Sequence, residues 1–163
     1  MIIDKLKEDQ KQALKSGDAA KRVLIGMVMT SIRNKEIEKR TKLAKTISYT
    51  AQLDAESKLT DEEVVAVVAS EVKRRKDSIS EFEKGGRPEL AEGEKKEMDM
   101  LMAYLPEQMS DDDLRAVVKA AIADTGATEV REMGKVVGSV MPKVKGKADG
   151  GRVSQIVKEE LLK

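Results

Sequence analysis

The stretch from Met133 to Arg152, Met-Gly-Lys-Val-Val-Gly-Ser-Val-Met-Pro-Lys-Val-Lys-Gly-Lys-Ala-Asp-Gly-Gly-Arg, limits what the chain can become more than any other. Val130, Met133, Val137, Val140 and Met141 recur at i, i+3, i+7, i+10 and i+11, the spacing of one α-helical stripe. Pro142 bounds that helix, because its ring removes a donor and clashes with the preceding turn. Beside the stripe, Gly134 and Gly138 stand four residues apart. Each costs a helix about 1 kcal/mol relative to alanine, which predicts that something approaches the backbone there. Lys143, Lys145 and Lys147 then alternate along a loop, and Asp149-Gly150-Gly151 predicts the start of a last helix.

Aromatic residues make up only 2% of the chain, so Val, Leu, Ile, Met and Ala must build its interior. Side chains of that kind on Lys/Glu-rich periodic segments predict an all-α fold, helices packing on helices. The first helix is expected over residues 2–16, with Ile3, Leu6, Gln10 and Leu14 on one side. Gly17 stops it and Asp18 caps a second over 19–40, striped by Leu24, Val28 and Ile32. Residues 41–59 leave a loop, a short helix and a mobile connection open. Thr60-Asp-Glu-Glu63 is a capping box. It decides for a helix where Val64 to Val68 alone would read as a strand, and Gly85-Gly86 should end that helix.

Pro88 suits a first helical position, and the segment behind it runs toward Pro106. Met98, Met100 and Met102 within it are expected as core filler. Ser110-Asp-Asp-Asp113 is a further start signal, followed by Leu114, Val118 and Ala121, with Gly126 closing. The composition breaks at Leu105-Pro106-Glu107. This predicts an N-terminal helical domain over residues 1–106 and a small three-helix tail domain over 107–163. The tail helices are expected at Ser110–Ala123, Glu129–Met141 and Gly150–Leu162.

Neither cysteine nor histidine occurs, which removes thiolate chemistry, disulfides and the commonest general base and metal ligand. No serine sits in a Gly-x-Ser-x-Gly elbow, and neither Gly134-Lys135 nor Gly146-Lys147 has the spacing of a phosphate-binding loop. The three aspartates lack the glycine and terminal glutamate of a calcium loop. No catalytic residue, metal or cofactor is therefore predicted. The charged N-terminus has no signal-peptide core, and the apolar run from Val23 to Met29 is too short to span a bilayer. These features lead to the expectation of a soluble, cytoplasmic protein with no membrane partner.

The net charge of +1 hides an uneven distribution. Residues 1–45 carry 12 Lys/Arg against 6 Asp/Glu, residues 46–130 carry 11 against 20, and residues 131–163 carry 8 against 4. Either an anionic partner meets a basic end, or the segments neutralise one another in the fold. In the tail, Lys135, Lys143, Lys145, Lys147 and Arg152 cluster near Gly150, whose helix start should offer free amides to phosphate. With almost no aromatics for base stacking, the nucleic-acid reading is contact with the phosphates of a folded RNA. A solvated basic surface is the competing reading. So is a protein–protein adaptor in which Gly134 and Gly138 admit a partner helix.

The tail motif from Met133 to Gly150 resembles the signature of the GatB/YqeY family. Gly86-Arg-Pro-Glu-Leu-Ala-Glu-Gly-Glu94 and Tyr104-Leu-Pro-Glu-Gln-Met-Ser110 resemble other recurrent stretches of its stand-alone branch. The resemblance covers essentially the whole chain. It implies an all-α protein whose tail, like that of the GatB subunit of tRNA-dependent amidotransferases, holds tRNA. The positions carried over are Gly134, Lys135, Gly138, Pro142, Lys143, Lys145, Gly146, Lys147, Asp149 and Gly150. GatB's catalytic body and its ammonia-supplying partner subunit have no counterpart here. The resemblance therefore implies a tRNA-binding accessory protein. Its alternative is participation, with amidotransferase subunits, in carbon–nitrogen ligase activity with glutamine as donor.

Overall fold

Caps divide the chain in the computed structural model, which describes residues 1–163 as eight α-helices and one 3-10 turn without a strand. The helices gather into two compact units, Met1–Tyr104 and Leu105–Lys163. The first holds α1 (Ile2–Ser16), α2 (Ala19–Leu43), α3 (Thr50–Glu56), α4 (Asp61–Lys84) and α5 (Pro88–Met102). The second holds α6 (Asp111–Thr125), a 3-10 turn (Val130–Glu132), α7 (Met133–Val140) and α8 (Gly150–Leu161). The stretch left open over residues 41–59 contains the two-turn α3.

In the first unit each helix end has a local cause. Gly17, at φ 75°, takes the left-handed conformation that ends α1, and the Asp18 carboxylate accepts from the Lys21 amide to start α2. Thr60 and Glu63 form the reciprocal capping box that starts α4, so the valine run behind them is helical. Lys39 extends that cap from α2: its Nζ lies 2.8 Å from Glu63 Oε2 and donates also to the Lys58 carbonyl. That ammonium first, and the Thr60 amide second, hold the Glu63 carboxyl below its ordinary value of 4.5.

Leu24, Ile25, Val28 and Ile32 of α2 pack inward with Val64 and Val68 of α4 and Leu6 of α1. Leu14, expected on the inner stripe of α1, is instead 60% exposed; Ala13 takes the inner position. None of the nine methionines is buried, and Met98, Met100 and Met102 lie half-buried at the rim rather than filling the core. Branched side chains, with fewer rotamers to lose, occupy the interior.

Two buried charges went unpredicted. Glu71 and Arg75, one turn apart on α4, are each under 5% exposed. Arg75 Nη1 donates to Glu71 Oε2 at 3.1 Å, and Arg75 Nε reaches Glu97 of α5 at 3.0 Å. Ser31 of α2 donates to Glu71 Oε1 at 2.9 Å. Three helices are thus joined by one hydrogen-bonded network, the condition under which burial of charge is tolerated. The C-terminal end of α5 is tied to α1 as well. The Tyr104 hydroxyl donates to Asp9, and Lys5 Nζ stands 5.2 Å from the Tyr104 ring centroid. Burial first, then the Asp9 carboxylate, raises the phenol above its ordinary value.

The second unit has its own interior. Leu114 and Val118 of α6, Val136 and Val140 of α7, and Val153 and Ile156 of α8 form a cluster drawn entirely from residues after Tyr104. Arg115 of α6 reaches across to Glu159 and Glu160 of α8, at 2.5 and 2.9 Å.

Three outcomes follow from this packing. Glu71→Ala leaves Arg75 buried without its main partner and should lower stability by about 3–5 kcal/mol in urea unfolding. Glu71→Leu combined with Arg75→Met should recover most of that loss; no recovery would show the ion pair itself to be required. The lowered Glu63 pKa means its contribution is complete above the ordinary carboxylate range and fades as pH falls through it. Urea-unfolding curves of the wild type and Glu63→Gln, separate at neutral pH, should therefore converge on acidification. Residues 105–163 expressed alone should show cooperative loss of helical circular dichroism on heating. A featureless melt would mean that the core needs the first unit.

Candidate nucleic-acid interface

Val144 positions the lysine loop. It is fully buried in the core of the second unit, one residue from exposed Lys143 and Lys145 on either side. The turn is hydrogen-bonded, the Val144 amide donating to the Val140 carbonyl and the Ala148 amide to the Val144 carbonyl, so Val144 falls one turn from buried Val140 and the flanking lysines face solvent. Gly146, at φ 73°, takes a left-handed conformation that side chains rarely adopt, and the chain turns there before exposed Lys147. The segment before α6 clamps this turn: the Met109 amide donates to the Lys147 carbonyl at 2.8 Å, and Gln108 Nε2 donates to the Gly146 carbonyl at 2.8 Å.

The cations of the tail divide into two groups. Arg152 forms a two-pronged ion pair with Asp111, Nε to Oδ1 at 2.9 Å and Nη2 to Oδ2. Lys143 stands 3.7 Å from Asp124, with both side chains at least half exposed, and Lys135 stands 4.0 Å from Glu132. Pairs so exposed are worth little and are open to exchange. Lys145 and Lys147 have no carboxylate within salt-bridge distance. The structure therefore brings Lys143, Lys145 and Lys147 together on one loop, with Lys135 on the helix leading into it, and gives Arg152 a carboxylate of its own.

One expectation about backbone is corrected. Two amides at the start of α8 are not free: the Asp149 side chain accepts from Gly151 at 2.8 Å and from Arg152 at 3.1 Å. Aspartate is a strong N-cap, and here it fills the place an anion would take. Gly134 and Gly138 are exposed, and a Cβ at either would meet nothing within 4 Å. Packing of the tail helices therefore does not require them. Within the fold the close contact is at Gly151, where a Cβ would stand 2.9 Å from Asp149 Oδ1 and displace the cap, while a Cβ on Gly150 would meet Met141.

Val136, Val140 and Val144 form the buried line of this region, with Met133, Val137 and Met141 half-buried beside them. The sequence reading missed Val136 and Val144. The signal for Val144 was present in Lys-Val-Lys-Gly-Lys, a lone branched aliphatic among cations. No cluster of His, Cys, Asp or Glu able to hold a metal ion is present, and no helix is long and apolar enough to cross a membrane.

The sequence matches the family described as "Yqey-like protein" over residues 3–161. Fungal relatives carry the name "Altered inheritance of mitochondria protein 41, mitochondrial". The protein of that name from Eremothecium gossypii is 34% identical over 100 residues, 61% of this chain and 46% of its own length. Its namesake from Kluyveromyces lactis is 35% identical over 100 residues, 61% and 45% of the two chains. In these the matched region spans about half the relative's length. The one from Pyrenophora tritici-repentis is 26% identical over 162 residues, 98% and 80% of the two. These names overturn the expectation of a cytoplasmic protein. The absence of cysteine bears on disulfide chemistry and does not separate one compartment from another. With the family match running over nearly its whole length, the chain belongs to the YqeY-like family.

Proposed function

We propose that the unit Leu105–Lys163 is an RNA-binding module whose ligand is a folded RNA of the tRNA class, held by its phosphates. The observation that carries this reading is the set of three exposed lysines within five residues, turned outward by the buried Val144. A clamped loop of this kind loses less conformational freedom on binding than a free lysine tail would. The exposed backbone of Gly134 and Gly138 lies near Lys135 on α7 and lets a sugar–phosphate chain approach closely. The near absence of aromatics leaves phosphate and shape, rather than base stacking, as the means of recognition.

The likeness of the tail to that of GatB supports tRNA within this class. In this reading the chain supplies RNA contact, and any amide transfer belongs to catalytic subunits apart from it. The names of the fungal relatives make the mitochondrion the compartment in which to look for the RNA.

Filter binding of tRNA to the wild type and to a Lys143→Ala, Lys145→Ala, Lys147→Ala variant, across a salt series, tests the proposal. Each phosphate contact removed should flatten the dependence of log K on log salt by about one unit. The triple variant should therefore bind more weakly and with a visibly shallower slope. An undetectable affinity of the wild type at low salt, or an unchanged slope in the variant, would remove the lysine loop as the RNA site.

A further inference from the structure

α1 and α2 fold back on each other across Gly17, and their outward face combines two properties that no function assigned so far uses. The first is an excess of positive charge, 12 Lys/Arg against 6 Asp/Glu over residues 1–45. Each of the six carboxylates has a hydrogen-bond or ion-pair partner. Asp4 pairs with the Met1 amino group, Glu8 accepts from Gln12, Asp9 from Tyr104, Asp18 caps α2, Glu36 accepts from Lys58, and Glu38 binds Lys35 and Lys42. Lys7, Lys11, Arg22 and Arg33 are exposed and have no carboxylate within salt-bridge distance. The second property is exposed apolar surface: Leu14 is 60% exposed, Val23 56%, Met27 52% and Ile37 53%.

On α1, Lys7, Lys11 and Leu14 fall at i, i+4 and i+7; on α2, Arg22, Arg33 and Ile37 fall at i, i+11 and i+15, with Val23 and Met27 at i+1 and i+5 beside them. A Cβ on Gly26 would stand 3.3 Å from Gln10 Nε2, so the seam between the helices passes at that pair. Lys7 and Leu14 flank Gln10 at i−3 and i+4, and Arg22, Val23 and Arg33 flank Gly26 at i−4, i−3 and i+7. The buried residues of the same helices are Leu6 and Ala13 on α1 and Leu24, Ile25, Val28 and Ile32 on α2.

We propose that this outward face of the α1–α2 hairpin docks on the surface of a membrane rich in anionic lipid. A bilayer interface offers both complements in one plane: headgroup phosphates for the cations and the acyl boundary for the apolar side chains. Lysine and arginine stems reach between the two levels. A nucleic acid matches the charge but gives Leu14, Val23 and Met27 nothing apolar to enter. The shortness of the run Val23 to Met29, which argues against a span, does not bear on docking at the surface. The proposal concerns a different unit from the lysine loop and does not rest on RNA binding.

Sedimentation of the full chain with vesicles of phosphatidylcholine, with and without phosphatidylglycerol, tests it. The chain should pellet with the anionic vesicles alone, and less so as salt rises. Replacing Lys7, Lys11, Arg22 or Arg33 by Gln should lower partitioning about fivefold per cation. Val23→Ser with Met27→Ser should lower it about tenfold, because these side chains lose their place in the acyl boundary. All six positions are exposed, so helical circular dichroism should be unchanged, as should tRNA titrations of the same variants. No pelleting with anionic vesicles at low salt would overturn the proposal. So would binding that depends on the cations but ignores Val23→Ser with Met27→Ser, since that pattern belongs to a nucleic acid or an acidic protein surface.

Discussion

Buried valine, isoleucine and leucine hold these helices together, and Tyr104 is the only aromatic side chain among the buried residues. The consequence is geometric. Short branched side chains bring helix axes close and make few contacts each, so every helix must keep its inner stripe in register along its whole length. Start and stop signals do that work. Gly17, Asp18, Thr60, Ser110, Gly126 and Asp149 each fix an end, and a slip at any of them would rotate the stripe behind it. The helices of both units obey this rule, although their interiors share no residue.

Charge is organised on a second principle. Most cations of the acidic middle and of the tail helices are answered locally, as Arg75 is by Glu71, Arg115 by Glu159 and Arg152 by Asp111. Among the places that escape this neutralisation are the loop of Lys145 and Lys147 and the hairpin of Lys7, Lys11, Arg22 and Arg33. The first stands on a clamped turn without exposed apolar neighbours, and the second is interleaved with Leu14, Val23 and Met27. Phosphate recognition suits the first kind of surface and an amphiphilic partner the second. Net charge alone, at +1, shows neither.

Much of the fold was legible because its determinants are local. The caps at Asp18 and Thr60, the stop at Gly126 and the proline start of α5 are written in residues next to the ends they make. What escaped depends on residues far apart in sequence. The i, i+4 spacing of Glu71 and Arg75 looks the same for a solvated pair as for a buried one; only Ser31 and Glu97, brought in by other helices, decide between them. Leu14 fits a helical stripe as well as Ala13 does, and the choice is made where α1 meets α2. In the candidate site the lysines were readable as a run. Asp111 and Asp124, which bear on Arg152 and Lys143, lie 41 and 19 positions away, beyond any local pattern. The Asp149 cap could have been read from the aspartate before two glycines, but composition favoured an anion from outside.

Val144 has a bearing on how this segment can change over generations. Val140, Val144 and Ala148 recur every fourth residue, the Val144 amide donating to the Val140 carbonyl and the Ala148 amide to the Val144 carbonyl, and the lysines stand between them. Losing or gaining a single codon there would break that spacing and move Val144 off the buried line. The loop can accept exchanges of one side chain for another, but it has almost no freedom to alter its length.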